Sequence, residues 1–452
     1  MARPLAYLDV RQRVVALLAD GGGAAGFGWV DPYAGQADDL LRVLERCPAE
    51  PFLLNACGVL LHELTRRDAA ATLFRAALAL DPELPAAAAN LAAASAGGGP
   101  ALDRPGLDAL ARRARTVAAR ARPAEGLTVS LCLVVRDEEE LLPGCLASAA
   151  DAVDELVVVD SGSTDGTVAI AESFGARVLH VPWSGSFSEA RNAGLEQATG
   201  DWILMLDADE RLAPGAAPAL RTLLGRTWRE AFLLPLTSPT GPQTALRHPA
   251  LRLWRNRPGY RFAGRVHEAL AGLPTGLPER FELAPVGIEH LGYLPEHAAA
   301  RGKTARNLAL LELEPPGPAR SFDLGSEYLR AGELERAAEH LDDAWLGICG
   351  DPGWPAVGFA PLLAARAART RRELGRLEAA RGLLGVALER LPDYTDLWFE
   401  LAACATAAGD RAEAERLLER CLELGDAPLR YPATIGAGSR LARARLDEVR
   451  GG

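Results

Sequence analysis

The chain has 452 residues, of which 49% are hydrophobic, and a formal net charge of −11. This length is sufficient for two to four domains with packed cores. The negative charge and the lack of a Lys/Arg-rich run argue against nucleic acid or an anionic membrane surface as the main partner.

The sequence also lacks a signal-peptide pattern and a run of eighteen strongly apolar residues. We therefore expect a cytoplasmic protein without a transmembrane segment. The seven cysteines are scattered and have no Cys-x-x-Cys spacing, which predicts buried thiols rather than disulfides or a zinc site.

Residues 1–125 predict an N-terminal helical region with one tetratricopeptide-like repeat. Counted from Pro51, the repeat pattern requires small or apolar residues where two helices cross, an aromatic residue at position 24 and proline at position 32. The matching residues are Cys57, Gly58, Leu61, Ala70, Phe74, Ala77 and Pro82.

Residues 126–300 show an alternation of strand, turn and helix. Apolar runs at 128–135, 155–160 and 201–206 predict buried parallel strands, with a further strand at 177–181. Helices are predicted at 168–174 and after Ser186, which has capping-box spacing to Glu189. This alternation predicts a Rossmann-like, mostly parallel sheet whose ligand crevice lies at the carboxyl ends of the strands.

Acidic and small residues follow these strands. Asp160 ends the second run and leads into a turn that contains Ser161, Gly162 and Asp165, where the backbone can approach a ligand closely. Asp207 and Asp209 follow the last run.

Two carboxylates one residue apart repel unless a cation lies beside them. Mg²⁺ or Mn²⁺ with a diphosphate ligand would satisfy Asp207 and Asp209, since magnesium is commonly held by one or two carboxylates plus phosphate oxygens. The alternative is a turn with two exposed aspartates.

Five blocks in this region resemble the family-two glycosyltransferases of the GT-A fold, and in particular the bacterial subgroup fused to tetratricopeptide repeats. The blocks are SLCLVVRDEEE (130–140), ELVVVDSGSTDGT (155–167), FSEARNAGLEQATGDWILMLDADE (187–210), GRVHEAL (264–270) and IEHLGY (288–293). We place Asp137, in the first block, among the candidates for contact with the nucleotide.

The resemblance implies roles for several residues. Asp160 would contact the nucleotide base, Asp207 and Asp209 would hold ribose and metal, and Arg191 would lie beside the nucleotide. Glu268 matches the position of the catalytic acidic residue.

Inverting glycosyl transfer requires a base that takes the proton of the acceptor. Glu268 and His267 are the candidates, and a salt bridge between Glu268 and Arg265 is the structural alternative. His290 either completes the coordination of the metal or is a satisfied structural histidine.

Lys303 and Arg306 share one face of a predicted helix, where they either clamp the diphosphate or form a solvated face. Four tryptophans could stack on a sugar, although we expect Trp202 to lie in the core: Trp183, Trp202, Trp228 and Trp254.

Residues 301–452 predict a C-terminal tetratricopeptide repeat domain. Three sets of small and apolar residues recur, and the last two are 34 residues apart: Leu324, Gly325, Tyr328, Ala337, Leu341 and Ala344; Gly375, Ala380, Leu384, Ala387 and Pro392; Trp398, Gly409, Ala414, Leu418 and Cys421. Short side chains allow two helices to pack closely.

The sequence therefore predicts an α/β GT-A-like catalytic domain flanked by all-α tetratricopeptide-type repeats. The predicted function is metal-dependent, inverting transfer from a nucleotide-diphosphate sugar, a UDP-sugar, to a protein, peptide or glycan acceptor. The repeats would present a protein acceptor or form a homodimer. The alternatives are a repeat scaffold with an inactive transferase core and a nucleotidyltransferase, although the latter usually has a Gly-rich basic loop after the first strand, where this chain is acidic.

Overall fold

The computed structural model describes residues 30–96, 106–241, 244–274, 276–292 and 302–451. The chain forms two compact units, the first comprising 1–127 with 222–229 and the second 128–221 with 230–452. The predicted boundary between residues 300 and 301 lies outside the described residues, and the division into three domains stays a prediction.

The described elements of the first unit are helical: α1 Val30–Arg46, α2 Pro51–Glu63, α3 Arg67–Leu80, α4 Pro85–Ala96 and α5 Leu107–Arg120. Helices α2 and α3 form the helical hairpin of the repeat that was predicted to begin at Pro51. A Cβ atom added at Gly58 would lie 2.5 Å from Cε1 of Phe74, so the close helix crossing requires glycine at this position.

The second unit contains a large mixed sheet. Its strands and the two-stranded sheet beside it are β1 Val129–Val135, β2 Glu155–Asp160, β3 Arg177–His180, β4 Trp202–Met205, β5 Glu210–Leu212, β6 Ala231–Gly241, β7 Thr244–Arg255, β8 Arg261–Ala263, β9 Ala269–Ala271, β10 Phe281–Leu283, β11 Ile288–His290 and β12 Ala433–Thr434. The main order is β3-β2-β1-β4-β7-β6-β11-β5, and β8 pairs separately with β9. The helices between these strands are α6 Leu142–Ala149, α7 Thr167–Ser173, α8 Phe187–Gln197 and α9 Ala216–Leu224.

One half of the sheet is parallel, as predicted, whereas the other half is mixed. Strands β3, β2, β1 and β4 run parallel, but β7 is antiparallel to both β4 and β6. Only residues 242 and 243 connect β6 to β7, and so short a connection joins antiparallel strands.

Ser186 is the N-cap of α8, as its spacing to Glu189 predicts, and its Oγ accepts a hydrogen bond from the Glu189 N–H at 3.3 Å. Strand β4 is buried along its whole length, and the turn after it carries Asp207 and Asp209. The apolar strand therefore sets where the two carboxylates lie.

Helices occupy most of the chain after residue 302: α10 Lys303–Leu311, α11 Pro318–Ala331, α12 Leu334–Cys349, α13 Ala360–Glu373, α14 Leu377–Arg390, α15 Thr395–Ala407, α16 Arg411–Leu424 and α17 Arg440–Gly451. The pairs α11/α12, α13/α14 and α15/α16 correspond to the three predicted repeats. At the first crossing, a Cβ atom added at Gly325 would lie 2.7 Å from Cγ of Leu341.

Strand β12 connects the end of the repeats to the sheet. It pairs antiparallel with β7, with Ala433 opposite Arg247. The Thr434 N–H donates to Asp396 Oδ1 in α15 at 2.7 Å. Sheet and repeats therefore share hydrogen bonds within one compact unit. Across the described ranges, we find no helix whose length and apolar character would allow it to cross a bilayer.

Candidate active site

A cleft of about 330 Å³ opens at the carboxyl ends of β1, β2 and β4. Eight of the residues predicted from the sequence line it: Ser161, Arg191, Asp207, Asp209, Glu268, His290, Lys303 and Arg306. The sheet edge predicted to bind a ligand therefore brings most of the predicted site residues together.

Asp207 lies between two arginines. Its Oδ1 is 2.8 Å from Nη2 of Arg191, and its Oδ2 is 3.1 Å from Nη2 of Arg252. Burial alone would raise the pKa of Asp207, but the positive charges of Arg191 and Arg252 hold it well below its usual range. Asp207 is therefore a charged group whose two oxygens both face cations.

Arg191 links Asp207 to the candidate base. Its side chain is 8% exposed and donates to Glu268 through Nε. Burial opposes the charge on Arg191, but Asp207 and Glu268 outweigh burial and raise its pKa. Within the described part of the chain, Arg191 Nη1 is buried and has no hydrogen-bond partner, so this N–H group is available to a ligand.

Asp209 faces a different pair of cations. Its Oδ2 lies 3.4 Å from Nε2 of His290 and 3.6 Å from Nζ of Lys303. Burial would raise the pKa of Asp209, but the hydrogen bond and charge of His290 lower it. Burial likewise opposes the charge on His290, while Asp209 raises its pKa. Ser238 Oγ lies 3.0 Å from Nδ1 of His290 and orients the ring.

The donor set fits a divalent cation that has two protein ligands. Within the described ranges, no group of three or more His, Cys, Asp and Glu side chains is arranged around a metal position. Asp209 Oδ2 and His290 Nε2 face the space next to Gly292, where an added Cβ would lie 2.1 Å from the first atom and 3.0 Å from the second. The Asp209 carboxylate suits Mg²⁺ or Mn²⁺, and a diphosphate would supply further oxygens. Asp207 fits less well as a ligand, because its oxygens face arginines.

Asp160 and Gly162, at the end of β2, are not among the residues that line the cleft, whereas Ser161 between them is. Asp160 is buried and accepts hydrogen bonds from the backbone of Gly162 at 3.3 Å and of Ser163 at 3.1 Å. Burial would raise the pKa of Asp160, but bonds from Ser163 and His180 lower it. Gly162 has a φ of +100°, which favours glycine. Ser161 Oγ faces the cleft and, among the described residues, is buried without a partner.

Asp137 and Asp165 stabilise this turn and do not line the cleft. Asp137 Oδ1 accepts from the Thr164 N–H at 2.7 Å, while Asp165 accepts from the Thr167 N–H at 3.0 Å and the Glu139 N–H at 3.2 Å. The structure therefore gives these two predicted nucleotide contacts a role in shaping the loop at the end of β2.

The two candidate bases point in different directions. Glu268 lines the cleft, its side chain is 10% exposed, and it pairs with Arg191 rather than with Arg265, the partner considered from the sequence. His267 is outside the cleft lining, and its Nε2 lies 3.3 Å from Oε1 of Glu327. Glu268 is therefore the member of this pair that can reach a substrate.

Lys303 and Arg306 both line the cleft, as the diphosphate clamp requires. The Arg306 guanidinium lies 5.0 Å from the centroid of the Phe187 ring, and burial lowers its pKa. Among the tryptophans, Trp183 lines the cleft beside Phe187, whereas Trp202 is fully buried in the core.

Sequence reasoning missed several charged residues around the site, among them Arg136 and Glu138 in the cleft lining. Arg252 stands between two leucines, Leu251 and Leu253, in β7, which is a detectable signal for a buried ion pair. Arg252 also pairs with Glu210. Burial raises the pKa of Glu210, although the positive charge of Arg252 acts in the opposite direction. Glu327 comes from a repeat helix, and no local pattern marks it.

Two segments of the chain match models of known protein families. Residues 130–269 match the family model described as Glycosyl transferase family 2, and residues 371–428 match the one described as Tetratricopeptide repeat. The chain is 38% identical over 272 residues to a TPR repeat-containing protein of Synechococcus elongatus, an alignment that covers 58% of this chain and 64% of that protein.

Several relatives are named glycosyltransferases, among them proteins of Bacillus subtilis and Rhizobium meliloti. Identity to glycosyltransferase SunS of Bacillus subtilis is 30% over 224 residues, which covers 47% of this chain and 52% of that protein. Identity to the lipopolysaccharide core biosynthesis glycosyltransferase LpsC of Rhizobium meliloti is 33% over 163 residues, which covers 33% and 58%. The chain thus spans less than two thirds of the length of each of these relatives.

The chain combines an α/β domain, which contains the mixed sheet and the cleft, with helical hairpins of the repeat type. The chain carries a glycosyl transferase family 2 domain together with tetratricopeptide repeats, so the predicted resemblance and the predicted fold class are confirmed.

Proposed function

We propose that this protein transfers a sugar from a UDP-sugar to a protein, peptide or glycan acceptor, with a divalent cation and with inversion at the anomeric carbon. The observation that carries the proposal is one cleft containing the Asp207–Arg191–Glu268 network and the Asp209–His290 pair. The family match supports the reaction class, and the cleft supplies groups for each part of it.

Several groups suit a nucleotide diphosphate. Lys303 and Arg306 supply positive charge for the phosphates, and Arg191 Nη1 and Ser161 Oγ are buried donors with no partner among the described residues. Asp160, at the end of β2, would contact the nucleobase. An anion bound here completes hydrogen bonds that the described protein groups leave open.

Asp209 and His290 would hold Mg²⁺ or Mn²⁺, which when bound offsets the negative charge that develops on the departing diphosphate. The neutral imidazole of His290 would be the form that binds the metal, so metal binding would compete with protonation of the ring. Ser238 keeps the ring in place through Nδ1.

Glu268 would act as the base. It takes a proton from the acceptor as the acceptor's nucleophilic atom bonds to the anomeric carbon, and the carbon–oxygen bond to the diphosphate breaks with its electron pair leaving on the diphosphate oxygen. Arg191 keeps Glu268 and Asp207 at fixed positions across the cleft. A single displacement of this kind inverts the anomeric carbon.

Thermal unfolding with UDP plus Mn²⁺ tests donor binding, because a ligand of the native state raises stability by about 2.7 kcal/mol at one hundred times its dissociation constant. We expect a higher Tm with both ligands than with either alone, and slow UDP release from UDP-glucose or UDP-N-acetylglucosamine. Unchanged Tm at millimolar ligand and absent UDP release would overturn the proposal and favour a scaffold with an inactive transferase core.

The repeats would provide the macromolecular contact. Three helical hairpins follow the cleft in the same compact unit, and tetratricopeptide surfaces bind peptides or pair subunits. We propose that they present a protein acceptor or join two copies of the chain.

A further inference from the structure

The loop that carries Glu268 has an unusual backbone. It connects β8 to β9, and Gly264 and His267 in it have φ values of +97° and +52°. A residue with a Cβ atom, such as His267, rarely adopts this conformation unless surrounding contacts hold it. The backbone conformation of His267 sets the direction in which the side chain of Glu268 projects from the loop.

The first repeat helix supplies such a contact. Glu327 of α11 is 1% exposed, and its Oε1 lies 3.3 Å from Nε2 of His267 and accepts a hydrogen bond from Asn307 Nδ2 at 2.9 Å. Arg330 also pairs with Glu327. Burial opposes ionisation, but the bonds from His267 and the charge of Arg330 lower the pKa of Glu327 to about 2. A charged, oriented carboxylate therefore faces His267 at neutral pH.

Other contacts hold the same loop from both sides. The Phe187 N–H donates to the Arg265 carbonyl at 2.8 Å, and Ser188 Oγ donates to the Gly264 carbonyl. The Arg265 N–H donates to Glu314, which precedes the repeats. Helix α8 therefore anchors the start of the loop, whereas His267, directly before Glu268, is anchored by α11.

We propose that Glu327, a residue of the first repeat, is a positioning residue that aligns Glu268 for proton transfer by holding His267. This assignment rests on the proposed function. It makes the repeat region part of the transfer site, since α10 contributes Lys303 and Arg306 to the cleft and α11 contributes the anchor of the loop.

The test uses the full chain and measures UDP release from UDP-glucose and UDP-N-acetylglucosamine, with water as acceptor. Glu327→Ala should lower kcat by about 10²-fold, the scale of a misplaced catalytic group, with KM for the donor within about twofold of the parent. Glu327→Gln keeps an acceptor for Asn307 and His267 and should lose less. Glu333→Ala and Glu333→Gln are matched controls, because Glu333 is 44% exposed and pairs with Arg336 at the surface.

A double-mutant cycle separates positioning from general stabilisation. If Glu327 acts through Glu268, adding Glu327→Ala to Glu268→Gln should lower kcat little further, and His267→Ala should reproduce the Glu327→Ala effect. Independent, multiplicative effects would overturn the assignment, as would Glu327 variants that match the Glu333 controls. If Glu327→Ala fails to fold, the same cycle with Glu327→Gln decides. A folded parent that neither binds UDP with Mn²⁺ nor releases UDP would overturn the proposed function and this assignment together.

Discussion

Arg191 Nη2, in helix α8, lies 2.8 Å from Oδ1 of Asp207, in the turn after β4. The same guanidinium donates to Glu268. One buried cation therefore stands between two carboxylates that would otherwise repel each other, and it leaves Asp209 to a separate group formed by His290 and Lys303. The site thus has one side with Glu268, suited to a catalytic base, and one side with Asp209 and His290, suited to a metal.

Asp209→Asn tests the metal side. The variant keeps the size of the side chain but removes its charge, so we expect Mn²⁺-dependent stabilisation by UDP to disappear and turnover to fall by at least about 100-fold. Without ligand, the free energy of unfolding should fall by about 1–2 kcal/mol, because the loss of the charge interactions with His290 and Lys303 outweighs relief of repulsion from Asp207. Asp447→Asn, at an exposed position of α17, is the control. Turnover within about twofold of the parent would remove Asp209 from the ligand set.

Glu268→Gln tests the base. Glutamine still accepts a hydrogen bond from Arg191, so affinity for UDP plus Mn²⁺ should stay near the parental value, while turnover falls by roughly 10²–10⁴-fold. Nucleotide affinity is read from the Tm shift and turnover from UDP release. Glu289→Gln on β11 is a matched control, because Glu289 is exposed. A collapse of nucleotide affinity would assign Glu268 to substrate positioning instead.

Asp396→Asn should stabilise the protein in a pH-dependent way. Burial raises the pKa of Asp396 from 3.8 to about 6, so the native state binds more protons than the unfolded state between these values. The free energy of unfolding of the parent therefore falls as pH rises through this window. The variant cannot ionise and still accepts the Thr434 N–H, so its advantage should grow from near zero below the window to at most about 3 kcal/mol above it.

Denaturant unfolding of the parent and of Asp396→Asn at several pH values measures the difference in unfolding free energy. Asp447→Asn is measured alongside as the control. The same difference in unfolding free energy at both ends of the window would contradict the assignment of a raised pKa to Asp396.

Gly325→Ala tests the packing of the first repeat. The added Cβ would lie 2.7 Å from Cγ of Leu341 and 3.2 Å from the Ala337 carbonyl oxygen, so we expect a loss of about 1–3 kcal/mol in unfolding free energy. Gly385→Ala in α14 is the matched control. A Cβ there meets no atom of the described residues within 4 Å, so the better helix propensity of alanine should stabilise the protein by up to about 1 kcal/mol. Equal changes in the two variants would show that the crossing tolerates a larger residue.

Arg369→Glu separates acceptor presentation from assembly. Arg369 in α13 is 66% exposed and pairs with Glu373 in the same helix, a surface contact worth about 0.5 kcal/mol, so the fold should persist. If the repeats present an acceptor, incorporation of labelled sugar from UDP-glucose into macromolecules of a cell extract should fall, while hydrolysis by water continues. Arg445→Glu in α17 is the control. Unchanged transfer and hydrolysis together with an altered oligomeric state would assign the repeats to assembly.

Much of the site was predictable because the signals were local. Uninterrupted apolar runs identified β1, β2 and β4, and parallel strands end at one edge, so Asp160, Asp207 and Asp209 had to lie near each other. Ser186 and Glu189 predicted the start of α8, which places Arg191. Small residues at repeat spacing predicted the helix crossings, and Gly58 and Gly325 meet their neighbours as that spacing requires.

The sequence by itself thus determined the strands, the acidic edge and the helical hairpins, because these follow from periodicity and chain direction. The partner of each charged group was decided only by the tertiary structure. Arg252 reaches Asp207 from an antiparallel strand, and Glu327 reaches His267 from a helix sixty residues further along the chain. Such contacts arise from the packing of strand β7 and helix α11 against the site. A short-range sequence pattern cannot predict them, because it contains no information on which side chain of a distant element will contact a given atom.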